Sequence, residues 1–353
     1  MRRTAFTRLL WAALACALPN TAAGAAPAEV APDVAAQYVR PHQLVDVGGR
    51  KLNLFCMGEG GPTVLFDSGL SDWSSIWALV QPAVAKRTRA CSYDRAGSGY
   101  SDPAEGPRSP TAIVEDMHKL IHGAGLKTPL VLVGHSLGGF NSKLYAALYP
   151  ADVRALVLVD PAEDRMGERT RDYLRKRFGA AIAARGELLS LDGLTSGVGH
   201  YDDCAAAAKA HDLDPASDLY KSCTDPVREP LGPVIAAERA RLQVTRAYQD
   251  AQAAELAGSV YADTRGNGDY AMLFRPGAFG SKPLIVLTHS IYDRKDPLDT
   301  ASFAAWNEAH VQTAALSRRG VNRIVPNTHH NIEVDDPQAI VDAVFEVIRR
   351  SRR

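Results

Sequence analysis

Residues 130–139 read LVLVGHSLGG, and this stretch decides how the rest of the chain is interpreted. Its apolar start, Leu130–Val133, predicts a buried strand, and Phe140–Tyr149 directly after it predicts a helix. Between the two lies GHSLG at residues 134–138, a G-x-S-x-G pattern at a strand-to-helix corner. A sharp turn would strain the backbone of Ser136 and expose its Oγ, because the glycines let strand and helix approach closely. The pattern therefore predicts that Ser136 is a nucleophile; the alternative is an ordinary glycine-rich turn.

Outside this stretch, short β-branched runs alternate with amphipathic helical stretches, a pattern typical of a mainly parallel sheet with helices on both faces. The predicted strands are Gln43–Val47, Lys51–Cys56, Thr63–Asp67, Arg89–Asp94, Leu130–Val133, Leu156–Asp160, Pro283–Thr288 and Arg323–Pro326. From 161 to 281 this alternation stops, and the sequence has a helical pattern. A structureless loop of that length is uncommon, so we predict a helical insertion between two parts of an α/β core, residues 27–160 and 282–353.

Residues 1–26 are predicted to be a signal peptide. Three arginines within the first eight residues precede the apolar run Leu9–Leu18, and small residues follow it. An apolar run of about 10 residues is too short to span a bilayer. We expect cleavage near residue 25 or 26 and an exported protein, periplasmic or extracellular, without stable membrane insertion. A membrane anchor and a mitochondrial-type presequence are the alternatives.

The charge balance and the cysteine content limit the classes of function and the partners that the chain can have. The 40 basic residues balance the 40 acidic ones, so no patch for nucleic acid is indicated. Beyond the leader, four cysteines permit two disulfides in three connectivities, or else four free thiols. No CxxC pattern or Cys/His cluster indicates a metal, and we predict no cofactor. The expected partner is a small molecule.

The LVLVGHSLGG stretch resembles the nucleophile strand and elbow of α/β-hydrolase fold enzymes. The resemblance covers about residues 43–160 and 282–353 and implies that fold, with an eight-stranded, mainly parallel sheet and a helical cap at 161–281. The Leu137 amide, at a helix N-terminus, is a candidate oxyanion donor. Residues 67–70, DSGL, are similar to the family's His-Gly-x loop, which implies that the Leu70 amide is the other donor. Ser68 stands where His is usual, which puts a side-chain role there in doubt.

The candidates for the catalytic base and for the acid that orients it follow the later predicted strands. Residues 328–337, THHNIEVDDP, look like the family's G-H-x-I-x-x-D-x-P loop, which places His330 in the position of the catalytic base. His329 is the alternative base. The acid could be Asp160, which ends the strand after the nucleophile helix. It could also be Asp296 or Asp293, which follow strand Pro283–Thr288. We favour Asp160.

The family's strand order implies that the second and fourth strands are neighbours, which would pair Cys56 with Cys91. Cys204 and Cys223 both fall in the insertion and are expected to pair with each other. Apolar residues of the insertion could line an acyl pocket or simply pack within the cap: Tyr173, Leu174, Phe178, Tyr201, Tyr248 and Phe274.

Together these features predict a carboxylesterase-like serine hydrolase that cleaves a carboxylic ester or related acyl bond through a Ser136–His330–Asp160 triad. The same triad serves lactonases, C–C bond hydrolases, acyltransferases and cofactor-free haloperoxidases, which stay open. Epoxide hydrolase and dehalogenase chemistry is disfavoured, because those relatives carry an Asp nucleophile at the Ser136 position. A non-catalytic ligand-binding protein of the same fold is an alternative from a different class.

Overall fold

A computed structural model describes residues 29–352, and its centre is one eight-stranded sheet in the order β1-β2-β4-β3-β5-β6-β7-β8. The strands are β1 Gln43–Asp46, β2 Lys51–Met57, β3 Val64–Asp67, β4 Ala90–Tyr93, β5 Leu130–His135, β6 Val153–Val159, β7 Leu284–Thr288 and β8 Gly320–Ile324. β2 runs antiparallel to β1 and to β4, and all other neighbours are parallel. The predicted α/β-hydrolase fold with a mainly parallel eight-stranded sheet is confirmed.

Two predicted strands were placed too late, and β6 begins at Val153 and not at the expected Leu156. The last strand was expected over Arg323–Pro326, but β8 starts three residues earlier, where Gly320 pairs with Leu284 of β7. β8 lies at the edge of the sheet and is only half-buried. Because β8 contains polar residues, it does not stand out in the sequence as an apolar run.

The α-helices are α1 Pro32–Tyr38, α2 Gln81–Ala85, α3 Pro110–Gly123, α4 Ser136–Leu148, α5 Met166–Phe178, α6 Ala180–Ala210, α7 Asp218–Cys223, α8 Gly232–Gln243, α9 Arg246–Gly258, α10 Asn267–Leu273, α11 Pro297–Ala314, α12 Ile332–Asp335 and α13 Pro337–Arg350. Short 3₁₀ helices cover Ser74–Leu79, Pro150–Asp152 and Glu229–Leu231. The helical stretch between β3 and β4 is split into a 3₁₀ helix and α2, and Pro82 near the start of α2 cannot donate a backbone hydrogen bond.

The central strands β3 to β7 are buried on both faces, which explains why they are largely apolar runs. Successive side chains alternate between two apolar layers. One layer contains Val64, Phe66, Val131, Val133, Val157 and Val159. The other contains Leu65, Leu130, Leu132, Leu156 and Leu158. Because the central strands are held on both sides, their carboxyl ends form a rigid edge on which a site can be built.

Residues 161–281, called here the helical segment, contain six α-helices, α5 to α10, and no strand. Both predicted disulfides are confirmed. Cys56 of β2 lies directly opposite Cys91 of β4, and Cys204 of α6 is bonded to Cys223 of α7. The predicted signal peptide lies outside the described residues. Among residues 29–352, no helix is both long enough and apolar enough to cross a membrane.

Candidate active site

Ser136 lies at the corner where β5 ends and α4 begins. Its φ is +49°, in the left-handed region that non-glycine residues rarely adopt. Glycines make the corner possible. A Cβ on Gly134 would lie 2.2 Å from the Gly138 carbonyl oxygen, and one on Gly138 would lie 2.3 Å from the Asp67 carbonyl oxygen. The backbone of α4 is thereby packed against β5 and the end of β3, which fixes where Ser136 stands.

Asp160 and His330 meet at the same edge of the sheet. Asp160 follows β6 directly and is completely buried, and its Oδ2 accepts a hydrogen bond of 2.5 Å from the Nδ1 of His330. His330 comes from the connection between β8 and α12. Burial alone would raise the pKa of Asp160, but hydrogen bonds from His289 and His330 hold it well below its usual range. Asp160 is therefore a carboxylate that orients the His330 ring.

Two further side chains donate hydrogen bonds to Asp160, and no sequence pattern predicted either of them. His289, directly after β7, donates from its Nδ1 to Asp160 Oδ2 at 2.7 Å, and the Trp306 indole N–H donates to Asp160 Oδ1 at 3.0 Å. These contacts satisfy both oxygens of a buried charge, which would otherwise be costly to keep in the core.

The other candidate acids and the other candidate base lie elsewhere. Asp296 caps the start of α11 by accepting from the Leu298 N–H at 2.8 Å. Asp293 accepts from the Lys295 N–H at 2.8 Å. The exposed His329 is paired with Asp335, its Nδ1 3.1 Å from the carboxylate. Within residues 29–352, none of these three side chains forms a hydrogen bond to Ser136, His330 or Asp160.

The Ser136 hydroxyl has a partner that the sequence did not reveal. Its Oγ lies 2.9 Å from the Oη of Tyr261, a residue of the connection between α9 and α10. No hydrogen bond joins Ser136 Oγ to the His330 ring anywhere in the described chain. Burial raises the pKa of Tyr261 to about 12, so its phenol stays neutral. Ser136 is only 5% exposed, and Tyr261 contacts it from the side of the helical segment.

The two candidate oxyanion donors flank Ser136. A Cβ on Gly69 would lie 3.3 Å from the Ser136 Cβ, which shows how closely the loop before Leu70 approaches the corner. Within the described residues, neither the Leu70 N–H nor the Leu137 N–H donates to a protein group. Both amides are thus free to bind a ligand oxygen.

A buried arginine fixes the carbonyls that precede Leu70. Arg95 donates to the Ser68 carbonyl at 2.6 Å, to the Gly69 carbonyl at 2.7 Å and to Asp67 Oδ1 at 2.9 Å. Its remaining donors form a bidentate pair with Glu255 of α9, at 2.7 and 2.8 Å. Arg95 therefore links the loop that carries the Leu70 amide to the helical segment.

The other side of this loop is also tied to the helical segment. The Asp72 carboxylate is 2.9 Å from Arg228 and 2.8 Å from Arg239. Tyr248 donates from its hydroxyl to the Ser71 carbonyl at 3.0 Å, and the Ser71 hydroxyl donates to the side-chain oxygen of Gln252. All four partners belong to residues 161–281, so the loop at residues 67–72 is held by that segment.

A second buried group lies behind His330. His135 Nε2 is 3.0 Å from the His330 carbonyl, and its Nδ1 is 3.1 Å from Glu333 Oε1, although the angle is poor for a hydrogen bond. Burial and the neighbouring His330 lower the pKa of His135 to about 3. Burial raises the pKa of Glu333 well above its usual range. Burial therefore favours the neutral form of both side chains, which lie in contact behind His330.

Two clusters near the site contain residue types that bind metals: Asp160 with His289 and His330, and Asp72 with His135 and Glu333. In the first cluster, both histidine nitrogens already hydrogen bond to Asp160. In the second, Asp72 is already paired with two arginines. Neither arrangement needs an ion to account for it.

The contacts of the helical segment favour packing over an acyl pocket for several of the candidate lining residues. Leu174 is buried against Ala183, Ala301 and Ala305. The Phe274 ring lies 6.0 Å from the Phe140 ring. Tyr173 packs beside Leu174, and Tyr248 packs against Trp73. Phe178 is 39% exposed, and burial raises the pKa of Tyr201 to about 12.

The sequence profile described as the alpha/beta hydrolase fold family matches residues 62–331. Since this is more than half of the chain, the protein belongs to that family of hydrolases. The chain is 33% identical over 131 residues to the 2-(acetamidomethylene)succinate hydrolase of Mesorhizobium japonicum, a match to 36% of this chain and 46% of that protein. It spans less than half the length of the curated relatives that it matches.

Solved structures share the fold at low sequence identity. A thermophilic esterase from Thermogutta terrifontis superposes with a TM-score of 0.57 at 17% identity, over 89% of this chain and 100% of that one. The loop variant DbeA-M1 of the haloalkane dehalogenase DbeA from Bradyrhizobium elkanii gives a TM-score of 0.61 at 18% identity, over 88% and 96% of the two chains. The fold therefore accommodates more than one hydrolytic chemistry, and the side chains of the site must distinguish them.

Proposed function

We propose that this protein is a serine hydrolase that cleaves a carboxylic ester or a related acyl bond, with Ser136 as nucleophile, His330 as base and Asp160 as acid. The observation that supports this most is the 2.5 Å hydrogen bond from His330 to the buried Asp160, at the strand edge that also presents Ser136. An Asp nucleophile, as in the family's dehalogenases and epoxide hydrolases, would require a carboxylate where this chain has a hydroxyl.

The proposed reaction has two steps. With Nδ1–H directed at Asp160, the His330 Nε2 carries the lone pair that accepts the Ser136 proton. Ser136 Oγ then bonds to the carbonyl carbon, and the amides of Leu70 and Leu137 bind the resulting oxyanion. The leaving alcohol takes the proton from His330, and water hydrolyses the acyl-enzyme by the same route.

The hydrogen bond between Ser136 and Tyr261 belongs to a resting state in this proposal. Before attack, the serine hydroxyl turns from Tyr261 toward His330, a rotation about one side-chain bond. The helical segment acts as a cap, because it supplies Tyr261 and covers a nucleophile that is 5% exposed. Substrate entry therefore needs a displacement of the connection that carries Tyr261.

We also propose that the protein is exported, with residues 1–26 as a cleaved signal peptide. Two disulfides support this, because disulfides persist in oxidising compartments such as the periplasm and the extracellular space. Intact-mass measurement of the secreted protein tests it. A mature chain beginning near residue 26 is expected, and a chain that retains Met1 would contradict the proposal.

A second candidate is a ligand-binding protein without turnover, favoured by the Ser136–Tyr261 hydrogen bond. A fluorophosphonate probe separates the two. The wild-type protein should be labelled at Ser136, Ser136→Ala should not, and Ser142→Ala, which removes a buried hydroxyl from the same helix, should be labelled normally. Turnover of p-nitrophenyl esters of graded chain length should be lost in Ser136→Ala alone. Unlabelled wild-type protein would support the binding protein instead.

A further inference from the structure

Two histidines and one carboxylate converge on the surface of the protein, away from the candidate active site. His118 and His122 belong to α3, and Asp152 ends the 3₁₀ helix that precedes β6. Asp152 stands at the start of β6, whereas Asp160 follows its end. A strand of seven residues separates them by roughly 25 Å.

The spacing of the histidines brings their rings together. Residues four apart lie on the same face of an α-helix, and the ring centroids of His118 and His122 are 4.3 Å apart. The Asp152 Oδ2 lies 2.9 Å from His122 Nε2 and 3.5 Å from His118 Nδ1. Three ligand atoms from two separate elements are therefore close to one point.

These separations suit one metal ion. Ligand atoms bound tetrahedrally to zinc at about 2.0–2.1 Å stand about 3.3 Å from each other, and the two distances to Asp152 bracket that value. The side chains can also be reached from solvent. His118 is 32% exposed, His122 49% and Asp152 15%.

The surroundings hold the ligands in place. The Tyr145 hydroxyl of α4 donates to Asp152 Oδ2 at 2.8 Å, a contact that can persist with an ion bound. The His118 ring is stacked on the Tyr149 ring, with centroids 3.9 Å apart. Such outer partners orient metal ligands and raise affinity. A bound ion would replace two hydrogen bonds, the 2.9 Å one between His122 Nε2 and Asp152 Oδ2 and the 3.0 Å one between Tyr145 and His118 Nδ1.

We propose that His118, His122 and Asp152 bind a divalent transition-metal ion such as Zn²⁺, with the remaining coordination position open to water. Two imidazoles and one carboxylate suit zinc, nickel or copper, whereas magnesium and calcium prefer oxygen ligands alone. The ion would join α3 to the connection between α4 and β6. This site is independent of the proposed hydrolase function.

Calorimetric titration of the tag-free disulfide-bonded protein with zinc chloride tests the site. One ion should bind the wild-type protein at micromolar concentration or below, and it should raise the Tm, because a ligand of the native state stabilises it. His118→Asn and His122→Asn should each weaken binding by at least about 10- to 100-fold. The matched control is His211→Asn, an exposed histidine with φ +61° at the end of α6, where Asn is well tolerated.

Circular dichroism of each variant checks that the fold is intact before binding is compared. The proposal fails if the wild-type protein binds no zinc, or if His118→Asn and His122→Asn bind as tightly as His211→Asn. It also fails if binding is lost in His289→Asn instead, because the ion would then occupy the Asp160 cluster. Ester hydrolysis by His122→Asn should match the wild-type rate, since the site is at the opposite end of β6.

Discussion

The two halves of the candidate site are held by different parts of the molecule. Asp160 and His330 are fixed by the core, since Asp160 follows β6 and its partners come from the ends of β7 and β8 and from α11. The loop at residues 67–72 also starts from a core strand. Its polar contacts, however, run through Arg95 to Glu255 and through Asp72 to Arg228, both in the helical segment. The helical segment therefore holds the loop that carries Leu70, the candidate oxyanion donor, and it also contacts Ser136 through Tyr261.

The largest effect on kcat is expected in the half of the site that the core holds, where substitutions of Asp160 and Asp296 are compared. Asp160→Asn should lower kcat by roughly 10³–10⁴, because His330 would lose the anion that sets its tautomer and stabilises its protonated form. Asp296→Asn should leave kcat within about twofold, since Asn also caps helices well. Steady-state hydrolysis of a p-nitrophenyl ester measures both. The reverse result would place the acid after β7.

The helical half is tested through the Arg95 clamp. Glu255→Gln removes one charge from a buried pair and should lower stability to urea by about 3–5 kcal/mol. A displaced Leu70 amide should also lower kcat by about 10- to 100-fold with little change in KM, below the full loss of an oxyanion donor.

Glu238→Gln is the matched control for that clamp. Glu238 lies in the same segment and pairs with Tyr100 and Arg241 nearer the surface. It should change kcat by less than twofold. If Glu255→Gln also leaves kcat unchanged, the helical segment does not position the oxyanion loop.

A smaller effect, on the rate of labelling at Ser136, is expected at the contact between Tyr261 and Ser136. In the proposed reaction the Ser136 hydroxyl turns from Tyr261 to His330, and the hydrogen bond that it leaves contributes about 0.5–1.5 kcal/mol. Tyr261→Phe should therefore accelerate fluorophosphonate labelling by about 2- to 10-fold. Tyr270→Phe, a buried tyrosine that contacts Phe140, should not change it. Slower labelling of Tyr261→Phe would instead assign Tyr261 to the catalytic machinery.

The smallest effect on kcat is expected at Glu333, which lies next to His135. Glu333→Gln keeps a polar side chain of the same size beside His135, so kcat should stay within about twofold of wild type, whereas Glu333→Leu should lower kcat by up to about tenfold. Burial raises the pKa of Glu333 in the folded state, so its contribution to stability is complete below the unfolded pKa, about 4.3, and is lost as pH rises. Glu333→Gln should therefore be more stable than wild type at pH 7, and the gap should close toward pH 4. Urea unfolding at both pH values measures this. A gap that widens on acidification would show that Glu333 is charged in the fold.

Features that depend on neighbours in the chain were predictable from the sequence. The apolar runs on both sides of 134–138 give β5 and α4, because burial on two faces requires continuous apolar residues and a close strand–helix corner requires glycine. The strand at Gly320–Ile324 was placed too late, because a half-exposed edge strand carries polar residues.

The sequence by itself determined the α/β architecture, the Ser136 corner and the position of His330 after the last strand. The Cys56–Cys91 pair followed from the strand order that the family resemblance implied, and the Cys204–Cys223 pair from the shared place of both residues in the insertion. Only the tertiary structure decided which carboxylate lies beside His330, and only it brought Tyr261 to Ser136, Glu255 to Arg95, and Asp152 to His118 and His122. The reason is physical. Periodicity and turn chemistry act over a few residues, whereas hydrogen bonds between side chains 30 to 170 positions apart exist only after the sheet and its helices have packed.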